Sequence, residues 1–246
     1  MTASFKAFRQ FNNPSLGELA GLRSPISARF AEHFSASRHM DRLALALAAR
    51  RALPLKELLE SAEFYMRVRR RIRAQTVVDL CAGHGLVGLL FAAFERSVQR
   101  VVLLDQRQPE SFTRVREAVV EVAPWTADKL VYIESPLLEA GPHIPPGAGV
   151  VAVHACGVRT DRCLELAADK GCAVAVMPCC YAQTARKAPR ALRAALGAIL
   201  TTDIDRTYRM EQAGYEMAWS EIPAVITPMN RVLLGIMPPA DDSPRA

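Results

Sequence analysis

The sequence predicts an α/β fold in which a mostly parallel sheet follows a helical segment. Two observations predict it: short β-branched apolar runs recur from residue 75 onward, and Ala/Leu/Arg-rich stretches of helical length separate them. Strands buried on both faces read as continuous apolar runs, and regular alternation with helices is typical of parallel sheets. The 246 residues are 50% hydrophobic and 23% charged, which is typical of a globular chain with a full core.

The first 74 residues form a basic stretch that reads as helical. An Ala/Leu-rich run covers Asp41–Ala52, and apolar residues close to a 3.6-residue period cover Lys56–Arg73. The stretch holds 14 basic and 6 acidic residues, whereas the net charge of the whole chain is only +6. Five arginines cluster near its end: Arg67, Arg69, Arg70, Arg71 and Arg73. Such a region attracts anionic partners, nucleic acid above all, although solvated helices of an arginine-rich protein explain it equally well.

From residue 75 the apolar runs predict strands and the stretches between them predict helices. The predicted strands are Thr76–Leu80, Val101–Leu104, Leu130–Ile133, Val150–Val153 and Ala173–Met177. The predicted helices are Leu86–Arg96, Arg114–Val122, Asp161–Lys170 and Arg186–Leu200. Tyr215–Trp219 and Arg231–Met237 flank a proline-bearing segment, so we expect a closing pair with an antiparallel strand at the sheet edge. We therefore expect a seven-stranded domain over residues 75–238 and a disordered tail over residues 239–246.

Composition also predicts where the protein works. No window approaches the roughly eighteen uninterrupted apolar residues of a membrane span, so we expect no contact with a membrane. Lys6, Arg9 and Gln10 interrupt the N-terminal stretch, which argues against a secretory leader. Six cysteines in a chain of this length suggest free thiols rather than a disulfide framework. We expect a cytoplasmic protein.

The most informative stretch is Val77–Gly88, where Val-Val-Asp-Leu is followed by a glycine-containing turn and a helix. Glycines let a ligand approach a helix N-terminus closely. The stretch formally matches the Gly-x-Gly-x-x-Gly fingerprint of dinucleotide-binding proteins. That fingerprint has an apolar residue where Asp79 stands. A pattern with an acidic residue at this position therefore fits better, although Cys81 replaces its first glycine.

This second pattern resembles the first motif of the S-adenosylmethionine-dependent methyltransferases. The resemblance implies that the acidic residue lies near the amino group of the bound methionine and that the turn faces the cofactor. The next strand ends in a carboxylate, 26 residues after the first one, and two acceptor oxygens there suit ribose hydroxyls. The predicted cofactor-binding residues are Asp79, Cys81, Gly83, His84, Gly85, Asp105, Gln106 and His154. A dehydrogenase is the alternative for the same turn.

The residue that contacts the adenine in such proteins follows the third strand and is often an aspartate. Pro136 falls at about that place here, which departs from the pattern. Glu134 or Ser135 could take over the contact, so it stays open.

Two further motifs follow the fourth and fifth predicted strands. The fourth strand ends in His-Ala-Cys-Gly-Val-Arg-Thr-Asp (154–161), and the fifth ends in Met-Pro-Cys-Cys-Tyr (177–181). With the first motif, these resemble a subgroup of methyltransferase domains that includes the C-terminal domain of glutathione S-transferase C-terminal-domain-containing proteins. They are more distantly similar to a family of tRNA 2′-O-methyltransferases with a related His-x-Cys-Gly motif. The resemblance implies a Rossmann-like methyltransferase fold over about Gln75–Met237 and S-adenosylmethionine as cofactor.

Ligands of open α/β sheets bind at the carboxyl ends of the strands, so both motifs border the expected reactive side. The catalytic candidates are His154, Cys156, Asp161 and Cys179. His154 suits a general base, or it orders the loop through Asp161 or the backbone. The cysteines suit covalent attack on a cytosine ring or, with Cys180 and His154, a Zn²⁺ site, but the favoured interpretation is small half-buried thiols and no metal.

These observations predict an S-adenosylmethionine-dependent methyltransferase that acts on RNA, either tRNA or rRNA. The five arginines are the expected RNA contact, because their segment is expected to cap the active face. One alternative is a methyltransferase for a small metabolite or a protein side chain. Another is a module that binds the cofactor or RNA without turnover.

Overall fold

A computed structural model, which describes residues 3–181 and 188–238, contains one seven-stranded sheet. Its strands are β1 (Thr76–Leu80), β2 (Arg100–Asp105), β3 (Leu130–Glu134), β4 (Gly149–Val153), β5 (Ala173–Met177), β6 (Glu216–Glu221) and β7 (Arg231–Ile236). The strand order is β3-β2-β1-β4-β5-β7-β6. Strands β1 to β5 are parallel, and β7 pairs antiparallel with β5 and β6. The predicted α/β fold class and the closing strand pair are confirmed. The antiparallel strand was expected at the sheet edge, but β7 lies between β5 and β6, and β6 forms the edge.

The described helices overlap every predicted helix, but α1 and most of α8 were not predicted. They are α1 (Pro14–Gly17), α2 (His39–Ala49), α3 (Leu55–Val68), α4 (Leu86–Phe94), α5 (Glu110–Val122), α6 (Val158–Asp169), α7 (Arg190–Leu196) and α8 (Ala198–Gln212), with short 3₁₀ helices between some of them. Helix α3 ends five residues before the predicted end, because the chain turns there toward β1. The predicted helix Arg186–Leu200 begins outside the described residues. Its described part is divided by Gly197, whose φ is +76°, and the separate and longer α8 starts after it. The expected tail, residues 239–246, lies outside the described residues.

Apolar side chains fill both faces of the sheet. Successive residues of a strand point to opposite faces, so Val77 packs among residues of α2, α3, α4 and α5, whereas Val78 packs among residues of α6 and α8. This two-sided burial is why β1, β2, β4 and β5 read as continuous apolar runs.

The N-terminal stretch shares the core on the α4 face instead of packing separately. Phe8 is fully buried in this core. On α3, the Tyr65 ring meets Phe91 of α4 edge-on at 5.2 Å. Arg50, just after α2, pairs with Glu121 of α5 at 2.6 Å. The sequence boundary near residue 74 therefore divides charge patterns, while the apolar packing continues across it.

The strand order places a crevice between β1 and β4. The chain winds outward from β1 through β2 to β3, then returns to the other side of β1 with β4 and continues to β5. In open α/β sheets a ligand binds outside the carboxyl ends of the strands where the order reverses. The residues just after β1 and β4 are therefore the first place to look for a functional site.

Candidate active site at the carboxyl ends of β1 and β4

The turn after β1 has an unusual backbone. Cys81, Gly83 and Gly85 all have positive φ, of +57°, +51° and +74°. Glycine adopts this conformation without strain, whereas a residue with a Cβ rarely does. Cys81 is thus a strained substitute at a position where the methyltransferase pattern has glycine, and its backbone keeps the conformation that the glycine would give.

Asp79 lies in the floor of the crevice, almost completely buried. Its Oδ2 accepts a hydrogen bond from the backbone N–H of Gly88 at 2.9 Å, and among the described residues no hydrogen bond reaches its Oδ1. Burial raises the pKa of Asp79 to about 7, with the nearby charge of Asp105 adding to the effect and the Gly88 N–H opposing it. A buried carboxylate with a free acceptor atom favours a cationic ligand group.

Asp105, at the end of β2, ties the two turns together. Its Oδ2 accepts from Gly83 N at 2.8 Å and its Oδ1 from Gln106 N at 2.7 Å. A carboxylate has about four lone-pair positions, so each oxygen keeps acceptor capacity for a hydroxyl group. Tyr132 of β3 secures the same turn, since its hydroxyl donates to Gly83 O at 3.0 Å.

Two cavities open on either side of Cys81. The larger, of about 250 Å³, includes Asp79, Gly83, His84 and His154 in its lining. The smaller, of about 20 Å³, is lined by Cys81, Leu104, Asp105, Gln106, Ser135, Leu137 and Arg159. The smaller one holds about a single water, so a ring system enters only if its walls move apart.

Of the residues considered for an adenine contact, Ser135 lies on the smaller cavity. Glu134 instead accepts a hydrogen bond from Gln108 N at 2.7 Å. Pro136 is not part of the cavity lining.

A third cavity, of about 310 Å³, lies toward the N-terminal helices. Its lining is Arg23, Pro54, Lys56, Glu57, Glu60 and His154. His154 and Glu57 line both this cavity and the one beside Asp79. His154 therefore stands at the boundary between two compartments.

Helix α3 supplies a carboxylate to each histidine of the site. Glu57 Oε2 lies 3.3 Å from Nε2 of His84, and Glu60 Oε2 lies 3.1 Å from Nε2 of His154. The hydrogen bond with His84 is the main reason that the pKa of Glu57 is lowered. Glu60 is only 1% exposed, and its other oxygen pairs with Lys56. His84 also accepts from Leu86 N at 3.1 Å, so it is held on two sides.

The sequence analysis missed Glu57 and Glu60. Only the basic residues of this segment were considered, whereas Glu60 and Glu63 are both almost fully buried. The available signal was the spacing of Glu57, Glu60 and Glu63, which places three carboxylates on one side of a helix that also carries buried leucines.

His154 itself has a positive φ of +65°. Such a conformation is uncommon for a residue with a side chain and is found in turns and at functional sites. The backbone of His154 turns the chain directly after β4, two residues before Cys156.

The structure brings three thiols together after β4 and β5. Cys156 Sγ lies 2.8 Å from Cys179 Sγ, which lies 3.8 Å from Cys180 Sγ. None of the three lines the cavities beside Asp79, Asp105 or Arg23. Cys156 and Cys179 are half-buried and Cys180 is exposed.

The position of Asp161 does not support the catalytic role assigned to it from the sequence. It is buried on α6, where Arg206 Nη2 lies 3.3 Å from Oδ2 and Arg209 contacts Oδ1 at 2.5 Å. Burial alone would raise its pKa, but the two guanidinium groups outweigh this effect and lower it. The partner of His154 is Glu60 rather than Asp161.

The N-terminal segment reaches the active face with Arg23, Lys56, Glu57 and Glu60, but the arginine cluster that it carries lies elsewhere. Ile72 packs against Gly149, the first residue of β4, so the end of the cluster lies at the amino-terminal edge of the strands. A five-residue strand spans roughly 16 Å, which separates this edge from the crevice. Arg67 pairs with Glu63, and Arg69 is engaged by Glu95 at 2.6 Å. The exposed members are Arg70, Arg71 and Arg73.

Comparison with known families decides the class of the protein. A sequence profile described as "Methyltransferase domain" matches residues 55–187, more than half of the chain. The chain belongs to this methyltransferase family. The match begins at α3, so it includes the helix that supplies Glu57 and Glu60. The predictions of a methyltransferase and of S-adenosylmethionine as its cofactor are confirmed, and the dehydrogenase alternative is not supported.

The methyltransferase is similar to one curated protein and to solved structures. It is 34% identical over 106 residues to the glutathione S-transferase C-terminal domain-containing protein of Xenopus laevis, covering 43% of this chain but only 16% of that protein. The cofactor-bound structure of Rv0187 from MTB is 17% identical, with a TM-score of 0.51 and coverage of 80% of this chain and 89% of that one. SAH-bound PaMTH1 of Podospora anserina is 13% identical, with a TM-score of 0.48 and coverage of 74% and 79%.

The similarity to Rv0187 shows the shared fold. The resemblance to tRNA 2′-O-methyltransferases stays a prediction. Within the described residues, no helix of the methyltransferase is long and apolar enough to cross a membrane.

The site has the chemistry for the cofactor, and the smaller cavity admits its base once the cavity walls move apart. A Cβ on Gly83 would have no atom within 4 Å, so this side of the turn is open. Asp79 offers a buried acceptor on the larger cavity, and Asp105 keeps free lone pairs on the smaller one. These features fit a cationic amino group beside Asp79 and ribose hydroxyls beside Asp105.

Proposed function

We propose that this methyltransferase transfers a methyl group from S-adenosylmethionine to a hydroxyl group of RNA, with His154 as the proton acceptor. The observation that carries the proposal is the position of His154, on the boundary between the cavity beside Asp79 and the cavity that contains Arg23 and Lys56. The cavity beside Asp79 fits the methyl donor. The cavity that contains Arg23 and Lys56, called the acceptor cavity below, is open to a methyl acceptor.

Four of the predicted residues would hold the cofactor. Asp79 would accept from its ammonium group, Gly83 would allow its close approach, and Asp105 would accept from the ribose hydroxyls. Gln106 lies on the smaller cavity, at the base end. When bound, the cofactor supplies an activated sulfonium methyl group, so correct positioning of the acceptor is the main catalytic requirement.

His154 has the geometry of an oriented base. Its Nε2 lies 3.1 Å from Glu60 Oε2, a buried oxygen with no hydrogen-bond partner among the described residues. A proton on Nε2 would satisfy that oxygen and leave Nδ1 as the acceptor atom. Nδ1 of His154 would take the proton of the acceptor hydroxyl as that oxygen is methylated. Glu60 acts on the acceptor only through His154, so it is a positioning residue.

RNA is supported by charge and by motif. Arg23 is exposed on the acceptor cavity, and among the described residues no carboxylate pairs with it, so it suits a phosphate beside the reacting sugar. The first 74 residues carry most of the excess positive charge. Hydroxyl methylation is also the chemistry of the tRNA 2′-O-methyltransferases that the His-x-Cys-Gly motif resembles. Either tRNA or rRNA fits these features, and a cytoplasmic location fits the six unpaired thiols.

A small anionic metabolite is the second candidate, and one observation favours it. The exposed arginines of the cluster, Arg70, Arg71 and Arg73, lie at the sheet edge away from the acceptor cavity. A cavity of about 310 Å³ with Arg23 and Lys56 at its wall is within the range of small-molecule sites.

The test uses the full chain with S-adenosylmethionine that carries a tritiated methyl group. Bulk tRNA, bulk rRNA and a low-molecular-weight cell fraction are offered separately. Tritium in RNA supports the proposal if nuclease treatment then makes the label acid-soluble. We expect Arg23→Ala to raise the KM for RNA more than Arg71→Ala does. Label confined to the small-molecule fraction supports the second candidate. No transfer to any fraction, with S-adenosylhomocysteine binding intact, overturns both and indicates a binding module.

A further inference from the structure

The thiol cluster of Cys156, Cys179 and Cys180 has no part in the mechanism above. The three Sγ atoms all lie within 4.8 Å of one another. They come from two separate loops, one after β4 and one after β5. The other three cysteines lie outside this cluster. Cys81 and Cys163 interact with each other beside Asp79, and Cys172 Sγ donates to Pro145 O.

Backbone hydrogen bonds hold the two loops in place. His154 N donates to Met177 O at 3.4 Å, and Gly157 N donates to Cys180 O at 3.2 Å. Gly157 has a φ of +61°, a conformation that favours glycine, and it directs the chain from Cys156 into α6. The three thiols therefore lie close together because two adjacent parallel strands end there. Their proximity does not depend on side-chain rotamers alone.

The spacing of the sulfur atoms matches a thiolate-bound metal. Zn–S bonds of about 2.3 Å in a tetrahedral site put neighbouring sulfurs about 3.8 Å apart. Cys179 Sγ and Cys180 Sγ are already 3.8 Å apart, and the 2.8 Å between Cys156 Sγ and Cys179 Sγ has to widen by about 1 Å. Side-chain rotation alone covers a change of this size.

A bound cation also suits three sulfur ligands this close together. Three thiolates so close together repel one another, and a bound cation removes that repulsion. Cys156 also precedes the N-terminus of α6, whose partial positive charge favours a thiolate.

We propose that Cys156, Cys179 and Cys180 form a Zn²⁺ site with three protein ligands. Binding forms three S–Zn bonds and releases the thiol protons to solvent, and no oxidant is needed. A disulfide between Cys156 and Cys179 would need an oxidant. Three protein ligands leave a fourth position for water, as in zinc sites that are open to exchange. The proposal concerns the ends of β4 and β5 and holds whichever acceptor the enzyme uses.

The experiment is a Co²⁺ titration of the full chain, purified under reducing conditions and stripped of metal by a chelator. Thiolate-to-Co²⁺ charge transfer in the near ultraviolet reports the ligands directly, and competition with Zn²⁺ gives its affinity. Cys180→Ser is the main variant, because its side chain is exposed and its loss leaves folding intact. Cys179→Ser is the second variant. Cys172→Ser is the matched control, since that thiol lies outside the cluster.

We expect one equivalent of Co²⁺ with a thiolate band, displaced by one equivalent of Zn²⁺. Loss of a direct ligand should cost more than the roughly 10–100-fold in affinity that an outer-shell partner costs, so Cys180→Ser and Cys179→Ser should bind at least about 100-fold more weakly. Cys172→Ser should bind like the wild type. The absence of a thiolate band in reduced wild type overturns the proposal. Equal binding by all three variants also overturns it, as does an intact mass that shows a Cys156–Cys179 disulfide after reductive purification.

Discussion

Glu60 Oε2 lies 3.1 Å from His154 Nε2 and joins the N-terminal helices to the loop that follows β4. Glu60 is buried on α3, whereas His154 follows a strand that comes about ninety residues later in the chain. The N-terminal stretch, which the sequence presents as a basic appendage, therefore completes the site with its acidic residues.

Removing the charge of Glu60 should slow the reaction without weakening cofactor binding. In Glu60→Gln the carboxylate no longer orients His154, and we expect kcat to fall at least about tenfold, less than the 10²–10⁴-fold that a lost general base costs. The KM for the acceptor and the Kd for S-adenosylhomocysteine should change less than about threefold. Lys56→Gln is the control, because Lys56 pairs with Glu60 but not with His154. Equal losses of kcat in the two variants would show that the helix, not the His154 contact, is what matters.

A methyl group on Gly83 should block the cofactor at little cost in stability. The backbone there has a φ of +51°, and a Cβ would have no atom within 4 Å, so the folded protein accommodates alanine with about 1–2 kcal/mol of backbone strain. Gly147→Ala is a matched control, since Gly147 has a φ of +73° and equally open surroundings at the opposite edge of the sheet. We expect similar losses of unfolding free energy in urea, but only Gly83→Ala should weaken S-adenosylhomocysteine binding, by at least about tenfold. Equal affinities would place the cofactor elsewhere.

Asp79 should make the ligand-free protein less stable as the pH rises. Its pKa is about 7 in the folded state against an ordinary value of 3.8, so between these values the folded protein holds a proton that the unfolded chain has released. By linkage, this group's contribution is greatest below about pH 4 and is lost by about pH 7, a change on the order of 4 kcal/mol. Asp79→Asn removes this dependence. The unfolding free energy of the variant in urea, relative to that of the wild type, should therefore increase between pH 5 and pH 8.

The same Asp79→Asn variant should lose affinity for S-adenosylhomocysteine, because the ammonium group loses its carboxylate. Calorimetric titration at pH 8, with NAD as the comparison ligand, measures this directly. A variant that binds S-adenosylhomocysteine as well as the wild type would contradict the assignment of Asp79 to the amino group.

The parts of the fold that the sequence predicts are those that bury apolar surface. Strand β1 was recognisable because both of its faces are covered, so Val77 and Val78 are both apolar. Helix α8 was missed because it buries Thr201, Asp203 and Arg206 instead of an apolar stripe. Periodicity of hydrophobic residues cannot find a helix whose buried side is an ion network.

The site was predictable where the backbone dictates the residue type. Gly83 at positive φ and the carboxylate of Asp79 leave a local pattern in the sequence. The pairing of Glu60 with His154 leaves none, because contacts between distant parts of the chain depend on how α3 packs against the sheet. For the same reason the sequence placed Cys156 and Cys179 at strand ends but gave no distance between them.

Arg206 should stabilise the fold strongly without affecting cofactor binding. Its side chain is fully buried between Asp161 at 3.3 Å and Asp203 at 3.1 Å. In Arg206→Met both carboxylates lose a buried partner, and we expect a loss of about 3–5 kcal/mol in unfolding free energy. Arg162→Met, which breaks a partly exposed pair with Glu165 on α6, should cost less than about 1 kcal/mol.

The stabilisation by Arg206 should also depend on acid pH. The pKa of Asp161 is lowered, so its pairing stabilises the fold above the ordinary value of 3.8 and is lost as the pH falls below it. The difference between wild type and Arg206→Met should therefore shrink in urea titrations below about pH 4. A difference that is constant from pH 3 to pH 8 would show that Arg206 acts through packing.

Tyr132 should affect the cofactor through the turn that it holds. Its hydroxyl donates to Gly83 O at 3.0 Å and lies 3.3 Å from Arg107 O, so it fixes the carbonyl on which the conformation of the turn depends. Tyr132→Phe keeps the ring and removes this bond, at a cost of about 1 kcal/mol in stability. If the turn must be held before the cofactor binds, S-adenosylhomocysteine affinity should fall about fivefold as well.

Tyr215→Phe separates the two effects. The Tyr215 hydroxyl lies 3.0 Å from Ala167 O and 2.9 Å from Cys172 O, on the α6 side of the sheet, away from the cavities. Its loss should cost a similar amount of unfolding free energy and leave S-adenosylhomocysteine affinity unchanged. If both variants lose affinity in proportion to their loss of stability, the turn has no special role. If Tyr132→Phe alone loses affinity, the bond from β3 to Gly83 preorganises the cofactor site.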